Sequence, residues 1–283
     1  MTMKIKHILT AMLALAAVSC EQAKFGIDEP VSDNMLKVRF ATPELEVKSG
    51  SEDVSFYAYL TSELKAGTIA PIAATMQKED GYLYYNIPEG TTDVIFSNIG
   101  NSDQDVYITA EDGRVVFKTR DEHSAHINTE IFYAELSGIT TGTSTAYSIP
   151  VRRLTSIVHS ELHYIDNDGN QISTHNIDYV NVFYHGWATS LTQNEDGTFT
   201  GKSYSMGSGF GSSHAINATD ETGRVFIPGE LVPDVQVEIQ FTNGTNKRYR
   251  TSLGKVFEQN HRYNVLLRLR QLNVEGTFVL EEP

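Results

Sequence analysis

Cysteine is all but missing from this sequence: Cys20 is the only one in 283 residues. An intrachain disulfide is therefore impossible, multi-thiolate metal sites are excluded, and stability must come from buried apolar surface. Basic residues are scarce too, 22 Lys and Arg against 36 Asp and Glu, for a net charge of −14. A surface of that sign makes nucleic acid a poor partner and supplies no polybasic patch for anionic lipid headgroups. Long apolar runs are absent after the N-terminus. The run at residues 8–18 is about half the ~20 residues that a membrane-spanning helix needs, so no permanent transmembrane helix is expected.

That short run has its own meaning. Lys4 and Lys6 precede it, no acid occurs before Cys20, and it closes on Ala17-Val18-Ser19-Cys20. A basic start, a short apolar stretch and small residues leading into a cysteine read as the signal peptide of a secreted bacterial lipoprotein, residues 1–19, with Cys20 lipidated and made the new N-terminus. A lone free thiol in that position would be a reactive liability. Two or more acyl chains, at ~0.8 kcal/mol per buried CH₂, anchor a protein stably to a membrane. Residues 20–34 are polar and aperiodic, a tether between lipid and fold.

What is abundant is strand-forming material: 14 Tyr and 13 Phe against one Trp, with many Val, Ile and Thr. From Met35 onward short segments alternate polar and apolar residues, as in Leu36-Lys37-Val38-Arg39-Phe40 and Val235-Gln236-Val237-Glu238-Ile239. Turn signals such as Pro88-Glu89-Gly90, Asp112-Gly113 and Asn243-Gly244 separate them. The spacing predicts an all-β protein of antiparallel sandwiches rather than crossover units, divided near Pro150 into domains over 35–150 and 151–283. Residues 61–66 are the one helical pattern, and the Gly/Ser-rich stretch 203–214 predicts a loop.

Little in the sequence points to chemistry. Asp166-Asn167-Asp168-Gly169-Asn170 alternates oxygen side chains as a calcium loop does, but Ile177 stands where such a loop needs a bidentate Glu, so a hairpin loop is the better reading. His123 with His126, and His159 with His163, lack Cys or Glu partners at zinc-ligand spacing. No nucleophile elbow or phosphate loop is present, so no catalytic residue, metal or cofactor is expected. Most of the Tyr and Phe are expected to fill cores. Clustered on an exposed face with Trp187, they would instead mark a monomeric surface glycan-binding lipoprotein.

Several segments resemble the fimbrillin and fimbrial-anchor lipoproteins of Bacteroidales-type type V pili. They are the cysteine-bearing leader, residues 36–40, the stretch Tyr85-Asn86-Ile87-Pro88-Glu89-Gly90 through Asn98, Phe132-Tyr133-Ala134-Glu135-Leu136, Ile149-Pro150-Val151-Arg152-Arg153-Leu154, Ile227-Pro228-Gly229 and the run from Glu258 to Val265. The resemblance implies two transthyretin-like sandwiches and a fimbrial subunit or anchor at the outer-membrane surface, with other pilus subunits and a host or bacterial surface ligand as partners. It also implies assembly by β-strand addition, in which a cut after a basic residue removes the first strand and a partner's strand fills the groove. Arg39 is the matching cut site, with Lys37 or Lys48 as alternatives; Leu36, Val38 and Phe40 would line the exchange site. Residues 274–280, with Phe278 and Leu280, alternate and follow the terminal strand, so they read either as a donor segment or as a local edge strand. A protein that keeps Cys20 would be an anchor, with Arg39 only the solvent-facing residue of a permanent strand.

Overall fold

The computed structural model describes residues 35–41, 54–77, 81–101, 103, 105–121, 126–140, 145–204, 210–214, 218–219, 223–270 and 274–281. Cys20, Lys48, His123, the leader and the tether lie outside them. Up to the middle of the chain the elements are β1 (Met35–Ala41), β2 (Tyr57–Leu60), α1 (Thr61–Lys65), β3 (Ile72–Ala73), β4 (Met76–Gln77), β5 (Leu83–Asn86), β6 (Asp93–Ser97), β7 (Val106–Glu111), β8 (Arg114–Thr119), β9 (His126–Ile127), β10 (Phe132–Ser137), β11 (Ala146–Pro150) and β12 (Arg152–Arg153). Then follow β13 (Ser156–Ile165), β14 (Ile177–His185), β15 (Ala188–Gln193), β16 (Phe199–Tyr204), β17 (Phe210–His214), β18 (Ala218–Thr219), β19 (Arg224–Phe226), β20 (Asp234–Phe241), β21 (Asn246–Ser252), β22 (Arg262–Arg270) and β23 (Val274–Glu281). The expected all-β sandwich architecture is present, and the one expected helix is α1.

The first sheet runs β11-β1-β5-β4 and the second β12-β10-β6-β2-β3. Leu36, Val38, Tyr85 and Ile149 of the first pack on Ala58, Val94, Phe96 and Phe132 of the second, which makes a sandwich core. The second sheet is buried on its other face as well. Ile95, Tyr59 and Tyr133 point there into a cluster with Val115, Phe117, Leu191, Phe199 and Val225. That double burial is why Val94-Ile95-Phe96 is a continuous apolar run and not an alternation.

The third sheet, β16-β15-β8-β7, joins strands from both sides of Pro150. Its β7–β8 hairpin turns on Asp112-Gly113, both at positive φ (51° and 72°), as a two-residue type I′ turn requires. The fourth sheet, β23-β22-β13-β19-β9, faces the fifth, β17-β14-β20-β21, across Val158, Leu162, Val182, Trp187, Phe226, Val237 and Tyr263. Two pairings are parallel, β1 with β11 and β13 with β22, and every other strand pairing is antiparallel.

One sequence expectation needs correction. Part of the Gly/Ser-rich stretch is strand: β17 pairs with β14 from Val180↔His214 to Tyr184↔Phe210. Backbone hydrogen bonds need no particular side chain, so glycines and serines can join a ladder that β14 already presents. Residues 205–209 lie outside the described part.

Candidate strand-exchange site

β1 lies inside its sheet rather than at an edge. On one side it pairs antiparallel with β5 from Met35↔Asn86 to Val38↔Leu83, and on the other parallel with β11 from Lys37↔Ala146 to Ala41↔Pro150. Alternation sends Leu36 and Val38 inward, 2% and 0% exposed. Phe40 stacks on Phe56 at 4.2 Å between ring centroids and meets Phe96 edge-on at 5.2 Å. Beneath them the Tyr85 hydroxyl donates to the Phe56 carbonyl at 2.9 Å. Leu36, Val38 and Phe40 are thus brought together in one core.

The basic residues take the other face. Lys37 Nζ sits 4.2 Å from the centroid of the Tyr82 ring and 5.7 Å from that of Tyr84, a cation–π contact that burdens it with neighbours. Arg39 is exposed. It stands opposite Ser148 of β11, while the β5 ladder has already ended at Leu83, so residues 39–41 are paired along one edge only. Of the two described cut candidates, Arg39 is the accessible one.

The opposite end of the chain forms β23, the last strand of the fourth sheet, paired with β22 from Leu269↔Val274 to Arg262↔Glu281. Phe278 stands opposite Val265 and Leu280 opposite Tyr263, both inward positions of β22. The far edge of β23 has no ladder partner among the described residues.

The described residues also hold a buried polar knot. Arg153 Nη1 donates to Glu130 Oε1 at 3.0 Å with both side chains 4% exposed, and its Nε donates to Asn260 Oδ1 at 3.3 Å. Asn260 adopts a left-handed φ of 60°, and its amide donates to the Thr155 carbonyl at 3.0 Å. Asn98 completes the arrangement: its Nδ2 donates to the Glu130 carbonyl at 2.7 Å and its Oδ1 accepts from the Phe132 amide at 2.8 Å, as a strand neighbour would. The knot holds the point where the chain leaves β11 in the first sheet and enters β12 in the second. In the sequence Arg153 and Asn260 stand within the runs Ile149–Leu154 and Glu258–Val265, but nothing local marks Glu130 or Asn260 as partners of Arg153.

Other candidates resolve into structure. Asp166 Oδ1 accepts from the amides of Asp168 and Asn170, each at 2.9 Å, so the carboxylate caps a hairpin loop. Those bonds, with the Asn170 side chain, hold its pKa below the usual aspartate value. His163 contacts Glu161 on the outer side of β13. Among the described residues no group of three or more His, Cys, Asp or Glu could hold a metal ion, and no helix is long and apolar enough to cross a membrane. Trp187, 1% exposed, stacks on Phe226 at 4.2 Å and so contributes to no surface platform.

No family model matches the chain, and no curated protein matches it in sequence. Solved structures do. A candidate cell adhesion protein from Bacteroides eggerthii matches with a TM-score of 0.54 at 10% identity, over 88% of this chain and 95% of that one. One from Bacteroides uniformis scores 0.49 at 11% identity, over 88% and 98%. The C-terminally truncated tip fimbrial protein Mfa3 of Porphyromonas gingivalis scores 0.43 at 8% identity, over 88% and 98%. What the chain shares with the Bacteroides eggerthii protein is its fold.

Proposed function

We propose that this chain is a non-enzymatic cell-surface adhesion protein, delivered as a lipoprotein through Cys20, that serves as a pilus subunit or pilus anchor assembling by β-strand addition. The observation that carries the reading is the position of β1. It is an inner strand whose apolar side chains complete a core, yet whose C-terminal end, at Arg39, is exposed and paired on one side only. Removing it would uncover the β5-facing and β11-facing hydrogen-bonding groups together with the pockets of Leu36 and Val38, a groove that a strand from a second subunit can fill. The fold shared with a candidate cell adhesion protein agrees with a surface role. The two sandwiches, meeting on the mixed third sheet, are proposed as its two domains.

Intact-mass and N-terminal analysis of the protein from its native outer membrane separates the two forms. An acylated start at Cys20 identifies an anchor; a start at Phe40 identifies a shaft subunit whose groove has been opened, and a start at Ser49 would move the cut to Lys48. A Cys20→Ala variant is expected in the soluble fraction. If it stays with the membrane, Cys20 is not the attachment point.

A further inference from the structure

The outward face of the fifth sheet has a composition that the sandwich does not explain. In β14, Val180, Val182 and Tyr184 are buried in the core, so alternation turns Tyr179, Asn181 and Phe183 outward. Tyr179 is 38% exposed and Phe183 half-buried, and neither belongs to any of the three core clusters. A β-bulge at Asp178 shifts the register between Ile177 and Tyr179. It lets Ile177 pack against the core while Tyr179, two residues on, keeps to the open face.

The surroundings of these rings are polar in a particular way. Gln240 stands opposite Tyr179 and Gln236 opposite Phe183 on β20, so each ring has a neighbouring amide that both donates and accepts. On its other side Phe183 faces Gly211 of β17, which has no side chain to cover it. The charges cancel: Arg248 pairs with Glu238 at 3.0 Å and Arg250 with Asp234 at 2.9 Å. This is a neutral face on a chain of net charge −14. Tyr179 and Phe183 are four residues apart on one strand, roughly 13 Å, the span of a short linear ligand and not of a single small molecule.

We infer that this face binds a neutral oligosaccharide, Tyr179 and Phe183 stacking on the C–H faces of two sugar rings while Gln236 and Gln240 hydrogen-bond the hydroxyls. Charge matching selects the occupant: a polyanion or polycation would have to break the two ion pairs, whereas a sugar uses ring and amide without disturbing them. Two isolated rings are also too little apolar surface for a stable protein interface of about 1,200–2,000 Å². The inference rests on the surface-adhesion reading and gives it a ligand class.

The test is calorimetric titration of the mature full chain with neutral linear hexasaccharides of β-1,4-glucose, β-1,3-glucose and β-1,4-mannose, with hexagalacturonate as the charged comparison. At least one neutral hexasaccharide binds and hexagalacturonate does not. Phe183→Ala and Tyr179→Ala each weaken binding by about tenfold or more, as truncated aromatic anchors do, without lowering the melting temperature. Phe183→Tyr keeps it, and Lys65→Ala, on α1, leaves it unchanged. Failure of all three neutral sugars, or wild-type affinity in Phe183→Ala, overturns the proposal. A dimer in sedimentation velocity that Phe183→Ala abolishes overturns it in favour of self-association. Strand uptake by the chain cut at Arg39 is scored separately: loss of uptake with sugar binding intact rejects the pilus reading and leaves this one standing.

Discussion

Arg153 and Glu130 are buried as an ion pair, and Asn260 supplies the third side. Cutting one partner leaves a charge in an apolar setting, so Arg153→Met should lower stability by about 3–5 kcal/mol in urea unfolding. The double variant Arg153→Met, Glu130→Leu should recover most of that loss; if it is no better than the single variant, the pair is not coupled. A backbone contact sets the second residue-scale prediction. A Cβ on Gly201 would lie 2.1 Å from the Pro228 carbonyl oxygen and 2.9 Å from Ala188 Cβ. Backbone cannot swing away as a side chain can, so Gly201→Ala should cost about 1–3 kcal/mol, read as a lowered melting temperature. Among the carboxylates, Asp166, Asp93 and Asp196 all have pKa values held down by hydrogen bonds, chiefly from Asn170, Thr92 and Thr198 respectively. A depressed folded-state pKa stabilises the fold above the unfolded value, about 3.9, and that stability fades as pH falls through the folded value. The urea midpoint should therefore drop on acidification below that point, and Asp166→Asn should flatten part of the slope.

At the scale of elements, β1 is the strand to test. Leu36→Ala opens a cavity against Tyr85 and Phe96 and should cost about 2–5 kcal/mol. Faster amide exchange is expected first in β5 and β11, the two ladders that β1 holds together. Exchange that rises equally across β20 and β22 would show instead that the chain unfolds as one unit. The sequence made β1, β20 and β22 legible because each buries one face and keeps the other wet, which leaves a period of two. It made the turns at Asp112-Gly113 and Asn243-Gly244 legible because positive φ demands particular residues. Pairing was not legible. That β8 finds β15, that β13 lies parallel to β22, and that Glu130 meets Arg153 are set by distant partners, and no local pattern carries that information. β17 was missed for the complementary reason, since a strand of glycine and serine owes its place to the backbone of β14. Nothing in the sequence sets Phe183 and Tyr179 apart from the other Tyr and Phe, because alternation says which residues share a face but not which face is dry.

For the molecule as a whole, the parallel pairing of β13 with β22 has a consequence in time. Ile157 must wait for Arg262, and Ile165 for Arg270, before the central ladder of the fourth sheet can close. The third sheet imposes a similar delay, because β8 pairs with β15 across the middle of the chain. Contacts so far apart in sequence form slowly. A polypeptide that becomes available from its N-terminus cannot complete the third sheet before residue 204, or the central ladder of the fourth before residue 270. The topology that joins the two halves thus acts as a clock, holding back the finished fold until nearly all of these strands are available.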